Sequence, residues 1–346
     1  MDLPVEQLEI LNWPAQLPEP IGERYPRLNG HHQPWIAAIA EGLQHPVHVL
    51  RMTRDGQVTG TLPLMLVRGP LFGRFLVSLP YVNTGGVWAS DEASAKQLVD
   101  AACELADRLD VRYLELRHEL PVEHPRLNFS HTDKVHLRLE LPDSDEALDR
   151  SFKSKLRSQI KKAGEYGLTA HWGQHDLLGE FYRVFSQNMR DLGTPVFARK
   201  LFSAILDHFA GDAELCVMRQ GATPVAAAIL VHAAGVTEVP SASSLRQFNH
   251  TNANMSMYRQ LLRRAVERNS HTFDFGRSSE GSGTYKFKAQ WGAKPHPAVW
   301  QYYVRKGDVS AMRPDSAGNQ RLIRIWQRLP VWLTRLAGPT IVRGIP

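Results

Sequence analysis

Cysteine is nearly absent. The 346 residues hold two, Cys103 and Cys216, in different halves and within apolar stretches, which suits buried thiols and excludes a disulfide framework. Long apolar runs are missing too: no window approaches the ~18 uninterrupted residues that a membrane-spanning helix needs. The start, Met1-Asp-Leu-Pro-Val-Glu6, has neither the basic nor the apolar region of a secretory signal, which predicts a cytoplasmic chain. There is no His-Glu-x-x-His and no Cys-x-x-Cys, and His45-Pro-Val-His48 stands alone, so no metal is expected. A Gly-x-Ser-x-Gly elbow and a Walker A loop are also lacking. Charge of one sign is scarce through most of the chain. The net charge is +6, yet eight basic and two acidic residues lie between Arg305 and Pro346, leaving 33 of each sign in the 304 residues before them. That distribution argues against a broad nucleic-acid-binding face and makes the basic character a property of the tail.

What is present reads as one structural unit written twice. In the first half, 34–43 has the pattern of a short helix with Pro34 in its first turn. Stretches 48–53 and 58–67 alternate around Asp55-Gly56, a hairpin signal. A strand is expected over 75–79, a helix over 93–109, and strands over 113–117 and 135–141. The second half repeats the order: helices over 177–189 and 199–209, strands over 214–219, 225–232 and 236–242, a helix over 252–269, and strands over 272–275 and 299–304. Helices 92–109 and 252–269 are offset by 160 residues, and the strand starting at Tyr113 keeps that offset to Phe273. Between the halves, 143–167 reads as one basic helix carrying Lys153, Lys155, Arg157, Lys161 and Lys162. The expected division is 1–145, 146–305 carrying the site, and a tail over 306–346.

The chemistry concentrates in 273–292. A strand delivers Asp274 and Arg277 to its carboxyl end, where α/β sheets place ligand sites. A Gly-Ser-Gly-Thr loop with Ser282 and Gly283 follows, able to bring backbone amides close to an anion. Tyr285, Lys286 and Lys288 add a phenol and two ammonium groups, and Arg277 a bidentate fork for phosphate. A solvated basic loop is the plain alternative, against which Phe287 and Trp291 count, since neither suits water. Asp274 is the candidate base or orienter, or else a strand carboxylate paired with Arg277. Lys288 and Arg277 are the candidate stabilisers of developing charge. Ser244, Arg246 and Asn254 fall at a strand end and a helix start, where they could line a cleft; Asn254 could equally be a cap.

These residues resemble a known family. Arg277-Ser-Ser-Glu-Gly-Ser-Gly-Thr-Tyr-Lys-Phe-Lys-Ala-Gln-Trp-Gly-Ala293 looks like the closing motif of FemAB-like transferases, and most resembles the branch associated with exosortase/PEP-CTERM exopolysaccharide loci. Lys155-Leu-Arg-Ser-Gln-Ile-Lys-Lys162, Asn188-Met-Arg-Asp-Leu-Gly-Thr-Pro-Val196 and Ser241-Ala-Ser-Ser-Leu-Arg246 fit it as well, as do Leu71-Phe-Gly-Arg-Phe-Leu-Val-Ser-Leu-Pro80 and Asn83-Thr-Gly-Gly86. The resemblance implies an α+β fold of two tandem GNAT (acyl-CoA N-acyltransferase-like) domains. It implies acyl or aminoacyl transfer to an amine of an envelope polysaccharide or of a lipid- or nucleotide-linked precursor. By the same resemblance Phe287-Lys288 ahead of Trp291-Gly292 contacts substrate, and Tyr258 is a further candidate. The chain lacks the long coiled-coil insertion of aminoacyl-transferring members, which weakens a tRNA donor. It also lacks the Gly-rich loop that holds coenzyme A, since Leu245-Arg-Gln-Phe-Asn-His-Thr-Asn252 contains no glycine. The donor therefore stays open between aminoacyl-tRNA and acyl-CoA, and no resident cofactor is expected. The alternatives are an acetyl-CoA-dependent sugar N-acetyltransferase and an inactive fold that binds glycan precursors.

The tail is a separate device. Leu322, Ile325, Trp326, Leu329, Trp332, Leu333 and Leu336 recur at helical spacing through 319–337, with Arg321, Arg324, Arg328 and Arg335 largely opposite. Pro330 predicts two short helices, the second opening at Pro330 or Val331. The pattern fits contact with anionic lipid on the inner face of the membrane, or packing of the apolar face on the body.

Overall fold

The structure, a computed structural model, describes residues 5–69, 71–307 and 317–346. In chain order the first elements are β1 (Glu6–Asn12), α1 (Gln33–Leu43), β2 (Val47–Arg54), β3 (Gln57–Gly69), β4 (Gly73–Val77) and β5 (Trp88–Ala89). Next come α2 (Glu92–Arg108), β6 (Tyr113–His118), β7 (Phe129–His131), β8 (Lys134–Glu140), α3 (Asp145–Ser151) and α4 (Ser154–Gly164). Then follow β9 (Leu168–Gly173), α5 (Leu178–Leu192), α6 (Arg199–His208), β10 (Ala213–Gln220), β11 (Thr223–Ala233) and β12 (Val236–Ser244). The last are α7 (Ala253–Glu267), β13 (Thr272–Ser279), α8 (Gly283–Ala289), β14 (Lys294–Pro297), β15 (Val299–Val304), α9 (Ala317–Arg328) and α10 (Val331–Val342).

Two compact units result. One comprises residues 1–134, 297–317 and 340–346, the other 135–296 and 318–339. The first holds a sheet ordered β1-β2-β3-β4-β6-β15-β7, with β5 pairing on β3. The second holds β14-β8-β13-β12-β11-β10-β9. The division expected at 145/146 and 305/306 therefore differs from the structure. β8, written at the end of the first half, enters the second sheet, and β15, written at the end of the second half, enters the first. Periodicity reveals a strand but not the sheet that will receive it, because pairing is non-local.

In the first unit, Leu98, Ala102 and Leu105 of α2 pack on Leu50, Leu62, Leu64, Leu76, Leu114 and Leu116. Asp91 opens that helix by accepting from the Ser94 amide at 2.8 Å. Asp55 and Gly56 both take positive φ, 51° and 78°, as a tight hairpin between β2 and β3 requires. In the second unit, Met257, Tyr258, Leu261 and Leu262 of α7 pack with Ala226, Ala228, Phe273 and Phe275. The stretch expected as one basic helix is two, α3 and α4, parted at Phe152-Lys153. Phe152 is buried against Trp291, and Arg259 of α7 holds α3 through Asp145 and Asp149.

The tail forms the two helices expected, with α10 opening at Val331. Arg313, counted in the tail's charge, lies outside the described residues.

Candidate active site

In the second unit's sheet β12 and β13 form a short parallel pair. Only Val236–Glu238 and Thr272–Asp274 pair, although both strands continue for several residues. Among the described residues no backbone bond joins them beyond that point. β12 instead stays with β11 to Ser244, after a bulge between Ile229 and Val231 of the partner. A bulge next to a parting of strands re-aims side chains. The sheet thus forks, and Glu238 and Asp274 are register partners at the crotch of the fork. Partners on neighbouring strands project from the same face.

Asp274 is 4% exposed and fully engaged. Its Oδ2 accepts from Arg138 Nε at 2.9 Å, and its Oδ1 from the Gly276 amide at 2.7 Å. Arg138 of β8, which sequence reading did not pick out, is an ion-pair partner. Gly276 has φ 73°, a left-handed break inside a strand. Successive strand carbonyls normally point to opposite edges, but here those of Gly276 and Arg277 both accept from Lys288 Nζ, each at 3.1 Å. Carbonyls left by the departed β12 need partners, and a side-chain ammonium supplies them. Burial pushes the Lys288 ammonium down to about 8, against the opposing charge of Asp274.

The Gly-Ser-Gly-Thr stretch is not a loop. Ser282 caps α8, its Oγ accepting from the Tyr285 amide at 3.1 Å, so that amide is already committed. Helical geometry then sends the lysines apart: Lys286 is exposed, while Lys288, two residues on, turns inward. Tyr285 and Phe287 lie half-buried against the core. Gly283 is exposed at the helix start.

Other expected contacts are corrected by burial. Trp291 is 2% exposed and edge-on to Phe152. Tyr258 is 7% exposed, stacked on Phe275 and edge-on to Phe287, and burial pushes its phenol up. Both help wall the site, and Trp291 Nε1 is buried without a hydrogen-bond partner. Of the Phe287-Lys288…Trp291 pattern, Lys288 reaches the carbonyls of β13. Asn254, also read as a cap, is the second residue of α7; Asn252 stands at the cap with φ 53°. Ser244 ends β12 half-buried, and Arg246 is exposed in the short turn that follows. Asn188 of α5 donates to Ser243 Oγ at 3.1 Å, so two of the motifs noted in the sequence meet on β12.

Sequence reasoning missed Arg138, Glu238 and Ser278. Ser278 Oγ is buried on β13 beyond the fork without a hydrogen-bond partner, a condition that calls for an explanation in a folded protein. Of the basic helix, Arg157 and Lys161 line an open cleft of about 390 Å³ with Asp149, Arg150 and Ile160. Lys153, Lys155 and Lys162 are exposed.

The parallel pair of β12 and β13, matched in the first unit by one of Phe75–Val77 in β4 with Tyr113–Glu115 in β6, belongs to the α+β fold of tandem GNAT-like domains. Residues 150–289 match the model of the acetyltransferase (GNAT) domain family. Among solved structures, the chain is similar to FemX at 15% identity and TM-score 0.61, over 88% of this chain and 96% of that one. It is similar to a tandem GNAT protein from the clavulanic acid biosynthesis pathway at 12% identity and TM-score 0.51, over 87% and 100%. It also resembles the C-terminal domain of a putative lysylphosphatidylglycerol synthetase from Agrobacterium fabrum, at 14% identity and TM-score 0.50, over 73% and 83%. No curated protein sequence matches. Among the described residues no helix is long and apolar enough to cross a membrane.

Proposed function

We propose that the protein is an acyl- or aminoacyl-transferase that forms an amide on an amine of an envelope polysaccharide or of its lipid- or nucleotide-linked precursor. The observation that carries this reading is the fork of β12 and β13, with a desolvated ammonium and two carboxylates at its crotch. Attack of an amine on an acyl carbonyl sheds one proton and builds an oxyanion. Glu238, half-buried and the register partner of Asp274, would take the proton. Asp274, which accepts from Arg138 and from the Gly276 amide, would hold Arg138 and the break at Gly276 in place. Lys288 spends two N–H groups on carbonyls and has a third for the oxyanion. The leaving group departs with the acyl bond's electrons, and the proton held by Glu238 can follow it.

Ser278 Oγ would donate to the bound donor or acceptor. Arg277, Ser244 and Arg246 lie near the ends of β12 and β13 and would contact the acceptor, with Arg150, Arg157 and Lys161 taking a phosphate of a linked precursor. The resemblance to the exosortase-associated branch supports the polysaccharide acceptor, and with it a place in the cytoplasm. The donor is an aminoacyl or acyl carrier, and calorimetry with coenzyme A separates the two. Mass spectrometry of envelope polysaccharide from cells with and without the gene tests the whole reading. An amide-linked group lost with the gene and restored by it is expected. An unchanged polysaccharide would overturn the acceptor, and absence of any amide product with either donor class would leave a glycan-binding protein.

A further inference from the structure

Eleven large apolar residues are exposed in the described chain, and four of them, Leu322 (65%), Ile325 (52%), Trp332 (67%) and Leu336 (71%), fall within fifteen residues of α9 and α10. They are not awaiting a place on their own unit, because the opposite sides of both helices are already docked there. Ile323 sits so close to Gly193 that a Cβ at that glycine would come within 2.4 Å of it. Gln327 donates to the Asp191 carbonyl, and Arg190 to that of Leu329, each at 3.1 Å. Thr334 is buried, and Gly338 lies against Val196. Arg335 donates to Ser186 Oγ at 2.7 Å and lies over the Tyr182 ring. It therefore turns inward, contrary to the outward face assigned to it from sequence.

The outer side has a definite order. At 3.6 residues per turn, Arg324, Arg328, Arg321, Ile325 and Leu322 follow one another around an arc of roughly 160°, and all five are exposed. Trp332 and Leu336, four apart, share one face of α10. No acidic residue occurs from Ala317 to Pro346. Arginines bordering an exposed apolar strip, with no acidic residue in either helix, complement a surface that is negative outside and apolar beneath. A protein partner would ordinarily be met by mixed charge around an apolar centre.

We infer that the outer face of α9 and α10 is a docking surface for an anionic lipid bilayer, with Arg321, Arg324 and Arg328 on headgroups and Leu322, Ile325, Trp332 and Leu336 at the acyl boundary. The inference is independent of the reaction proposed above. It would keep the protein against the bilayer without a spanning segment.

The test is co-sedimentation of the full-length protein with phosphatidylcholine vesicles, with and without phosphatidylglycerol. Binding is expected only with the anionic lipid, weakening as salt screens surface charge over about 8 Å at physiological ionic strength. Each of Arg321→Gln, Arg324→Gln and Arg328→Gln should lower partitioning about fivefold, and the triple variant about a hundredfold. Trp332→Ser with Leu336→Ser should abolish binding while circular dichroism and melting stay unchanged, since both side chains are outside the packing. No binding, equal binding to neutral vesicles, or full binding by both variant sets would overturn the inference. So would a dimer in light scattering that the Trp332→Ser, Leu336→Ser variant dissociates, which would assign the face to a second copy.

Discussion

Each unit contains a parallel pair of three residues. In the first it joins Phe75–Val77 of β4 to Tyr113–Glu115 of β6; in the second it joins Val236–Glu238 to Thr272–Asp274. Beyond that point the two diverge in kind. In the first unit the segment after β4 turns back to fill the gap. The Ser78 amide donates to the Glu115 carbonyl, and the Gly85 amide to that of Arg117. Ser78 Oγ accepts from the Arg117 amide, and the Arg117 guanidinium pairs with Glu115 at 2.7 Å beneath Trp300. Gly86 comes so near His118 that a Cβ there would meet the ring at 2.2 Å. In the second unit the strand after the fork leaves for α7, and one lysine side chain caps the carbonyls it abandons. By their place in the two parallel pairs Asp274 corresponds to Glu115, which is buried and paired with Arg117. A repeated fold thus has one fork sealed by backbone and a buried ion pair, and one kept for polar side chains.

Several substitutions would break or sharpen that contrast. The largest effects belong to the second fork. Lys288→Ala should cut the rate of amide formation by ~10²–10³, as removal of a charge stabiliser does. Asp274→Asn should both slow the reaction and lower stability, because the ion pair between Arg138 and the buried Asp274 is lost; thermal melting reads the second effect. In the first unit, Arg117→Leu strands the buried Glu115 carboxylate and should cost roughly 3–5 kcal/mol in denaturant unfolding. Its rate per folded molecule should be unchanged, and a rate loss there would place chemistry in the wrong fork.

A pH profile sharpens the same contrast. The Lys288 ammonium is held down to about 8 by burial, so its charged form drains away as pH rises through that value. Turnover should fall on that alkaline limb if the charge is used. Arginine stays ionised throughout, so Lys288→Arg should be slower but flat across the same range. A limb that survives in Lys288→Arg belongs to another group, such as the acceptor amine. The smallest effect is Ser282→Ala, which removes the α8 cap and should cost about 1 kcal/mol with a modest loss of rate through Lys288.

Much of this was legible in the sequence, because local patterns carry local structure. The hairpin at Asp55-Gly56, helices α2 and α7 and their 160-residue offset, and the break at Pro330 all follow from spacing and turn chemistry. The strand of Asp274 was legible for the same reason. The rest depended on distant pairing. Arg138 lies 136 residues from Asp274, and the crossing of β8 and β15 between sheets leaves no local trace. Gly281 and Gly283 suggested a loop where Ser282 instead starts a helix, and that error grouped Lys286 with Lys288 although they face opposite ways. Tyr258 and Trp291, named through the family resemblance, are buried among Phe275, Phe287 and Phe152, packing that no local pattern reveals.

Lys288 does two things in this account, and one variant separates them. Glutamine keeps N–H donors for the carbonyls of Gly276 and Arg277 while removing the charge. We expect Lys288→Gln to melt close to the parent protein and to form amide product ~10²–10³ more slowly. A folded Lys288→Gln protein with near-normal turnover would show that Lys288 only replaces the missing strand, and would contradict the assignment of the reaction to this fork.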